Sequence, residues 1–306
     1  MQRLKPGFVL AGRYRLERPI ASGGMGQVWR AADSSLGRTV AVKVLRQAEP
    51  DHAALERFRA EARFAARLSH PNVVAVYDFG ELDVLAYLVM ELVDGPTLAA
   101  LLDSAGTFDP DWVRSVLVQL GEALQAAHAR DVIHCDLKPS NVLVAPNGLV
   151  KLMDFGIART TAAGSTSVTG DTLGTAHYLS PEQALGAEVT ARGDLYALGV
   201  LGHELLTGRK LFDKESPIAT ALAHVDEPPP PLPQDVPTDL ATVITACLAK
   251  DPERRPATAA AVAAMLSTPE VRTSASPFAA ARRAPLPRRA HVDDQLTSSR
   301  QENSGS

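Results

Sequence analysis

The sequence predicts an α+β fold in two lobes, a small β-rich front with one key helix and a larger α-helical back. Three observations carry that expectation. Over roughly the first ninety residues, short β-type runs alternate with turn-rich pieces such as "DSSLG". From about residue 96, apolar residues recur instead at three- and four-residue spacing. The 306 residues, 45% hydrophobic and 22% charged, make an ordinary soluble chain long enough for one large domain or two lobes.

In chain order, residues 1–13 read as a lead-in. The runs "YRLERPI", "GQVWRAA" and "TVAVKVL" then read as strands of an antiparallel sheet. One helix interrupts it: in "ALERFRAEARFAARL", Leu55, Phe58, Ala62, Ala65 and Leu68 form an apolar stripe that leaves Arg57, Arg59 and Arg63 outside. Strand-like "NVVAVYDFG" and "AYLVMEL" resume the sheet, so the front lobe spans about 14–91 and the back lobe about 95–267. "DWVRSVLVQLGEALQAAHA" opens the helical part, with Val113, Val116, Leu117, Leu120 and Leu124 on one stripe. "DEPPPPLPQDVP" is a proline-rich connection, and the helix "DLATVITACLAKD" follows it with Cys247 on the apolar face, which reads as a core thiol. Residues 268–306 lose all periodicity and read as a disordered, Arg/Ser/Pro-rich tail. That tail holds six arginines against four acids and reads as a solvated linker rather than a docking site for an acidic partner.

Composition narrows the function classes. A formal net charge of −4 argues against a general nucleic-acid or anionic-membrane binder. The two cysteines, Cys135 and Cys247, have neither metal-type nor disulfide-framework spacing, which suits a reducing compartment, so a cytoplasmic location is expected. "MQRLKPGFVLAGRYRL" lacks the apolar core of a signal peptide, and no run reaches the length of a membrane span, so no direct membrane anchor is expected.

Three stretches carry chemistry. "IASGGMGQV" (20–28) clusters glycines between two β runs; with a strand following, it is the tip of a hairpin. On its own that is an ordinary turn, yet the backbone N–H groups of Gly23, Gly24 and Gly26 could lie over phosphates without side-chain obstruction. Lys43 in "VAVKV" shares a strand face with Ala41. It is either a solubilising edge charge or, with Glu61 of the helix as partner, one half of a buried ion pair. "HCDLKPSN" (134–141) packs an acid, a base, an amide and a thiol into eight residues.

Taken in order, "GGMG", "HPNVVAVYDFG", "DLKPSN" and "GTAHYLSPEQ" resemble the bacterial eukaryotic-like, Pkn-type serine/threonine protein kinases, over roughly residues 10–265. The family signature asks for a glycine-rich loop, a strand lysine, a helix glutamate, an H-R-D loop with an asparagine five residues on, D-F-G and A-P-E. All are present in order, with three substitutions: Ala21 for the first loop glycine, Ser180 for the alanine of A-P-E, and Cys135 for the arginine of H-R-D. The resemblance implies the bilobal protein-kinase fold and a kinase domain over 14–267. It further implies transfer of the γ-phosphoryl group of ATP to Ser/Thr hydroxyls of proteins, with autophosphorylation.

The roles it implies follow the chemistry of phosphoryl transfer, which needs positioning and charge neutralisation more than covalent help. Asp136 would orient the substrate hydroxyl, and Lys138 would neutralise the migrating phosphoryl. Lys43, fixed by Glu61, would hold the α- and β-phosphates. Asn141 and Asp154 would bind Mg²⁺, with Mn²⁺ as a substitute. Thr175 would bridge Asp136 and Lys138, the mark of Ser/Thr specificity. Around the nucleotide, Ala21, Gly23, Gly24 and Gly26 would cover the phosphates and ribose. Val28, Ala41 and Leu143 would sandwich the adenine, the backbone of Glu91 and Val93 would meet its edge, and Met90 would stand behind it as gatekeeper. Structural roles are implied for His134 under Phe155, for Asp194 on the catalytic-loop backbone, and for an ion pair of Glu182 with Arg255. Protein substrates are the implied partners, with a regulatory partner or a homodimer as further ones.

Two other classes stay open, a pseudokinase or nucleotide-binding scaffold and a small-molecule kinase on the same fold. The long segment from Asp154 to Glu182 weighs against the latter. The thiol of Cys135 cannot pair with a phosphate as an arginine would, so activity is expected to depend little on phosphorylation of Thr169 or Thr172, with Arg159 as a single remaining partner.

Overall fold

The structure is a computed structural model that describes residues 4–23, 26–46, 52–82, 85–155 and 176–267. Its front is one six-stranded antiparallel sheet in the order β1-β2-β3-β4-β6-β5. The strands are β1 (Val9–Leu10), β2 (Tyr14–Gly23), β3 (Gly26–Asp33), β4 (Arg38–Arg46), β5 (Val76–Leu82) and β6 (Leu85–Glu91). Between β4 and β5 lies α1 (His52–Ala65). The "NVVAVYDFG" run enters the sheet later than its composition suggests: before Val76 the chain makes only an isolated bridge from Val73 to Leu152. The backbone groups there are satisfied from the back lobe instead, Val74 N donating to Leu152 O at 2.9 Å and Leu152 N to Asn72 O at 2.8 Å.

Strand β4 explains how the front lobe presents a functional face. Val40, Val42 and Val44 point one way and are fully buried with Trp29, Tyr87 and Val89. Ala41, Lys43 and Leu45 alternate to the other side, as the two-residue period of a strand requires. On that side Leu45 packs with Phe58 and Ala62 of α1 and with Leu88 of β6. The predicted stripe of α1 therefore docks the helix beneath β4, and Glu61, one residue from Ala62, reaches the Lys43 side.

The back lobe contains α2 (Leu98–Ala105), α3 (Pro110–His128), a small hairpin of β7 (Val142–Val144) and β8 (Val150–Leu152), α4 (Pro181–Ala184), α5 (Ala191–Thr207), α6 (Pro217–Asp226), α7 (Thr238–Cys247) and α8 (Ala259–Leu266). The predicted α3 stripe is the core: Val113, Leu120 and Leu124 have no exposed surface. At about 1.5–3 kcal/mol for each fully buried large aliphatic side chain, this stripe holds α3 in place. Helix α5 is buried on all sides from Gly193 to Leu206, mostly apolar but with Asp194, His203 and Glu204 buried among its aliphatic residues, the mark of a central helix. A Cβ at Gly199 would stand 2.8 Å from the Cβ of Cys247, so glycine there lets α7 close on α5. Cys247 is 1% exposed and burial pushes its thiol up to about 12, as expected of a core residue. The predicted tail lies outside the described residues. No helix among the described residues is long and apolar enough to cross a membrane.

Candidate active site

The two lobes face each other across a small apolar layer. Ala41, Val74 and Met90 are its buried part, with Val28, Leu92, Val93, Leu143 and Met153 packed against them. Val28 and Ala41 come from the front lobe and Leu143 from β7. Among them the sequence-predicted nucleotide-side residues Val28, Ala41, Met90, Val93 and Leu143 come together from four separate segments, and Val74, Leu92 and Met153 join them without having been predicted. Behind Met90 lies a small cavity bordered by Glu61, Ala65, Val76, Met153 and Phe155.

Above this layer β2 and β3 turn at the glycine cluster, with Gly23 paired to Gly26 and Ala21 to Val28. Gly26 has φ +142°, and a Cβ there would stand 2.1 Å from the Val44 carbonyl oxygen, so only glycine fits. Gly24 lies outside the described residues.

Glu91 is held through its side chain. Its carboxylate pairs with Lys151 of β8 at 2.7 Å and accepts the Ala75 N–H at 3.2 Å, while its own N–H donates to Ala75 O at 2.8 Å. Lys151 is buried, and a buried ammonium requires such a partner. Sequence reasoning missed this tie, although a lone lysine in the apolar run "LVKLM" was a signal.

The polar part of the site is a chain of charges. Lys43 Nζ lies 2.9 Å from Glu61 Oε1 and 2.9 Å from Asp154 Oδ1, bridging the lobes. Burial by itself would lower the pKa of Lys43, but the two carboxylates outweigh it and raise it. Glu61 is pushed up to about 7, first by burial and then by the charge of Asp154, with Lys43 opposing. One ammonium shared between two partly buried carboxylates leaves a net negative site, ready for a further cation. Asp154 has φ +54°, a left-handed conformation that costs a non-glycine residue on the order of 1–3 kcal/mol and persists only where its surroundings over-determine it.

The catalytic-loop candidates sit beside it. Lys138 Nζ is 2.8 Å from Asp136 Oδ2. Asn141 Nδ2 donates to Asp136 O at 2.9 Å and to Asp136 Oδ2 at 3.2 Å, which turns its amide oxygen away from Asp136. Met153 N donates to Asn141 O at 2.9 Å, fixing the turn that carries Asn141 against the segment that carries Asp154. Asn141 and Asp154 are hard oxygen donors, too few for a closed cage but fitting for a Mg²⁺ that shares phosphate and water oxygens. Among the described residues no group of three or more His, Cys, Asp or Glu side chains could hold a metal by itself. Thr175, Thr169, Thr172 and Arg159 lie outside the described residues.

The loop rests on buried supports. Asp194 of α5 accepts the His134 N–H at 2.8 Å, the Cys135 N–H at 2.9 Å and a bond from His128 Nε2 at 2.7 Å. His134 has no exposed surface; its ring packs 4.7 Å from that of Phe155, its Nδ1 accepts the Asp136 N–H, and its Nε2 faces Met153 O at 3.1 Å. Those partners assign the proton to Nε2. His134 is thus a strut, as expected. The expected Glu182–Arg255 pair is also present, with bonds of 2.7 and 2.8 Å. Sequence reasoning missed His128, and also Gln183, which reaches the same loop from α4.

Comparison with known proteins agrees with this geometry. The family model described as "Protein kinase domain" matches residues 14–266. The serine/threonine-protein kinase PknA of Mycobacterium tuberculosis is 47% identical over 255 residues, covering 81% of this chain and 59% of that protein. The probable serine/threonine-protein kinase PknB of Corynebacterium glutamicum is 45% identical, with 85% and 42% covered. The serine/threonine-protein kinase PrkC of Bacillus subtilis is 41% identical, with 86% and 41% covered. The chain therefore spans between about two fifths and three fifths of the length of these relatives. With its two-lobed fold, its Lys43–Glu61–Asp154 bridge and a family match over residues 14–266, the chain belongs to the protein kinase family, among relatives that are bacterial Pkn-type serine/threonine kinases.

Proposed function

We propose that this protein is an ATP-dependent serine/threonine protein kinase. The observation that carries the reading is the pair of bonded groups at the lobe interface, Lys43 with Glu61 and Asp154, and Asp136 with Lys138 and Asn141. A scaffold without turnover has no need of an Asp136 carboxylate held by both Lys138 and Asn141, so this set weighs against the pseudokinase. The long segment between Asp154 and Glu182 weighs against a small-molecule kinase.

In this reading the adenine lies in the layer of Val28, Ala41, Leu143 and Met90 and meets the backbone of Glu91 and Val93. Lys151 braces that edge through the Glu91 carboxylate. Ala21, Gly23, Gly24 and Gly26 cover the ribose and phosphates. Lys43 binds the α- and β-phosphates and is kept charged and aimed by Glu61. Asn141 and Asp154 hold Mg²⁺, which supplies neutralisation of the phosphate charge when bound. Asp136 orients the acceptor hydroxyl and takes its proton as the hydroxyl oxygen bonds to the γ-phosphorus and ADP leaves. Lys138 stabilises the charge on the moving phosphoryl group, and Thr175 bridges it to Asp136. The kinase domain occupies 14–267, divided near 91–95. Protein substrates with Ser or Thr are its partners, a regulatory partner or second copy controls it, and two buried cysteine thiols that form no disulfide suit the cytoplasm.

The test is transfer from γ-labelled ATP to a generic protein such as casein, followed by phosphoamino-acid analysis, with Asp136→Asn as control. Label on serine or threonine that disappears in the variant supports the reading. Nucleotide binding without transfer would favour the pseudokinase.

A further inference from the structure

Gln183 uses both ends of its amide. Its Oε1 accepts from Ser180 N at 2.9 Å and from Ser180 Oγ at 3.1 Å, closing the capping box of α4. Its Nε2 points the other way and donates to the carbonyl of Cys135 at 3.0 Å, 48 residues distant in the chain. That carbonyl belongs to the peptide unit joining Cys135 to Asp136. The N–H of the same unit donates to His134 Nδ1 at 3.2 Å. One peptide plane is thus gripped at both edges, by Gln183 on its oxygen and by His134 on its nitrogen.

The grip matters because of the backbone on either side. Cys135 has φ +62°, a left-handed conformation that costs a non-glycine residue on the order of 1–3 kcal/mol unless its neighbours hold it. Asp194 holds the N–H of Cys135, and a rotation of the plane that follows would swing the Asp136 carboxylate against its bonds to Lys138 and Asn141. A displacement of about 1 Å at a group that must meet a reacting hydroxyl can lower a rate by about a hundredfold. A capping box needs only the oxygen of Gln183, so the cap does not account for the second bond.

We propose that Gln183 is a positioning residue for phosphoryl transfer. Through the Cys135 carbonyl it sets the orientation of Asp136, and it ties the end of the activation segment to the catalytic loop. The inference rests on the kinase reading above and deepens it.

Gln183→Glu keeps the length and an oxygen for the Ser180 N–H but turns a second acceptor toward the Cys135 carbonyl. Gln183→Met keeps the length without any donor and serves if the charged variant folds poorly. Ser180→Ala weakens the α4 cap while leaving the amide in place. Initial rates of γ-phosphoryl transfer to a protein substrate, with kcat and the KM for ATP resolved and thermal melts alongside, separate the possibilities. The expected result is a fall in kcat of about tenfold or more for Gln183→Glu and Gln183→Met. The KM for ATP stays within about twofold, and Ser180→Ala keeps the wild-type kcat even where its melt is lower. A kcat within twofold of wild type in both Gln183 variants overturns the proposal, as does a fall in kcat that Ser180→Ala shares in proportion to lost stability. A wild type that transfers no label overturns the kinase reading itself, and this inference with it.

Discussion

Two ion pairs in this molecule have the same chemistry and opposite tuning. In the back lobe, all five N–H groups of Arg255 are placed: two on the Glu182 carboxylate, the others on the carbonyls of Ala249, Arg192 and Lys250. Burial alone would raise the Glu182 carboxyl, but the bonds from Arg255 hold it below the ordinary range. At the lobe interface, Lys43 is a compact ammonium divided between Glu61 and Asp154, and Glu61 is pushed up to about 7. Arg255 is saturated and fixes a fold. Lys43 has charge around it left to be completed, and in the proposed reading a bound phosphate and cation would complete it. The difference teaches that pairing alone does not mark function; an unsettled balance of charge at a lobe interface does.

The largest effect that tests this contrast is on turnover. Lys43→Met or Asp154→Ala is expected to lower phosphoryl transfer by at least about a hundred- to a thousandfold, the scale of losing one preorganised electrostatic group, with the melting temperature changed by only a few degrees. Substantial residual turnover in purified Asp154→Ala counts against the assignment. The converse holds for the saturated pair. Glu182→Gln leaves a buried guanidinium short of its counter-ion and is expected to cost about 3–5 kcal/mol, a drop of roughly 10 °C in a thermal melt, with transfer per folded molecule largely kept.

A smaller effect is in the pH dependence, and the two pairs differ in sign. Glu61 titrates higher in the folded state than its ordinary 4.5, so the stability it contributes is present below about 4.5 and lost as pH rises through about 7. Glu182 titrates lower, so its contribution is present above 4.5 and lost as pH falls through its depressed value. Because Glu61 aims Lys43 only when ionised, the KM for ATP should rise as pH falls below about 7, and Glu61→Gln should flatten that rise. The smallest effect concerns the activation segment. With a thiol at Cys135, the Thr169→Ala/Thr172→Ala variant is expected to keep initial rates within tenfold of wild type, about 1.4 kcal/mol in barrier. A larger drop would show that loop phosphorylation controls the Lys43 pair after all.

Much of this was legible in the chain. The two-residue alternation of β4 and the stripes of α1 and α3 follow from residue pattern alone, because each element buries one face. The entry of β5 was misjudged because the Asn72 carbonyl and the Val74 N–H pair with Leu152 of β8, a partner remote in sequence. The same limit applies to the site. Asp136, Asn141 and Asp154 fall in short motifs whose spacing is itself the chemistry, and the resemblance to kinases supplies their roles. Lys151 on Glu91, His128 on Asp194 and Gln183 on the Cys135 carbonyl join residues 48 to 66 positions apart. No local pattern encodes such meetings; the packing of β8 against the end of β6 brings about the first, and that of α4 and α5 against the loop brings about the other two.

The contrast between the two pairs is most directly tested by a site-resolved titration. Carboxyl ¹³C resonances of glutamate-labelled protein, assigned with Glu61→Gln and Glu182→Gln, would be followed across pH in the absence of nucleotide. The account predicts that the Glu61 signal moves with a midpoint near 7 while that of Glu182 moves below the ordinary carboxylate range. A Glu61 midpoint at or below 4.5 would contradict it, as would two glutamates titrating together.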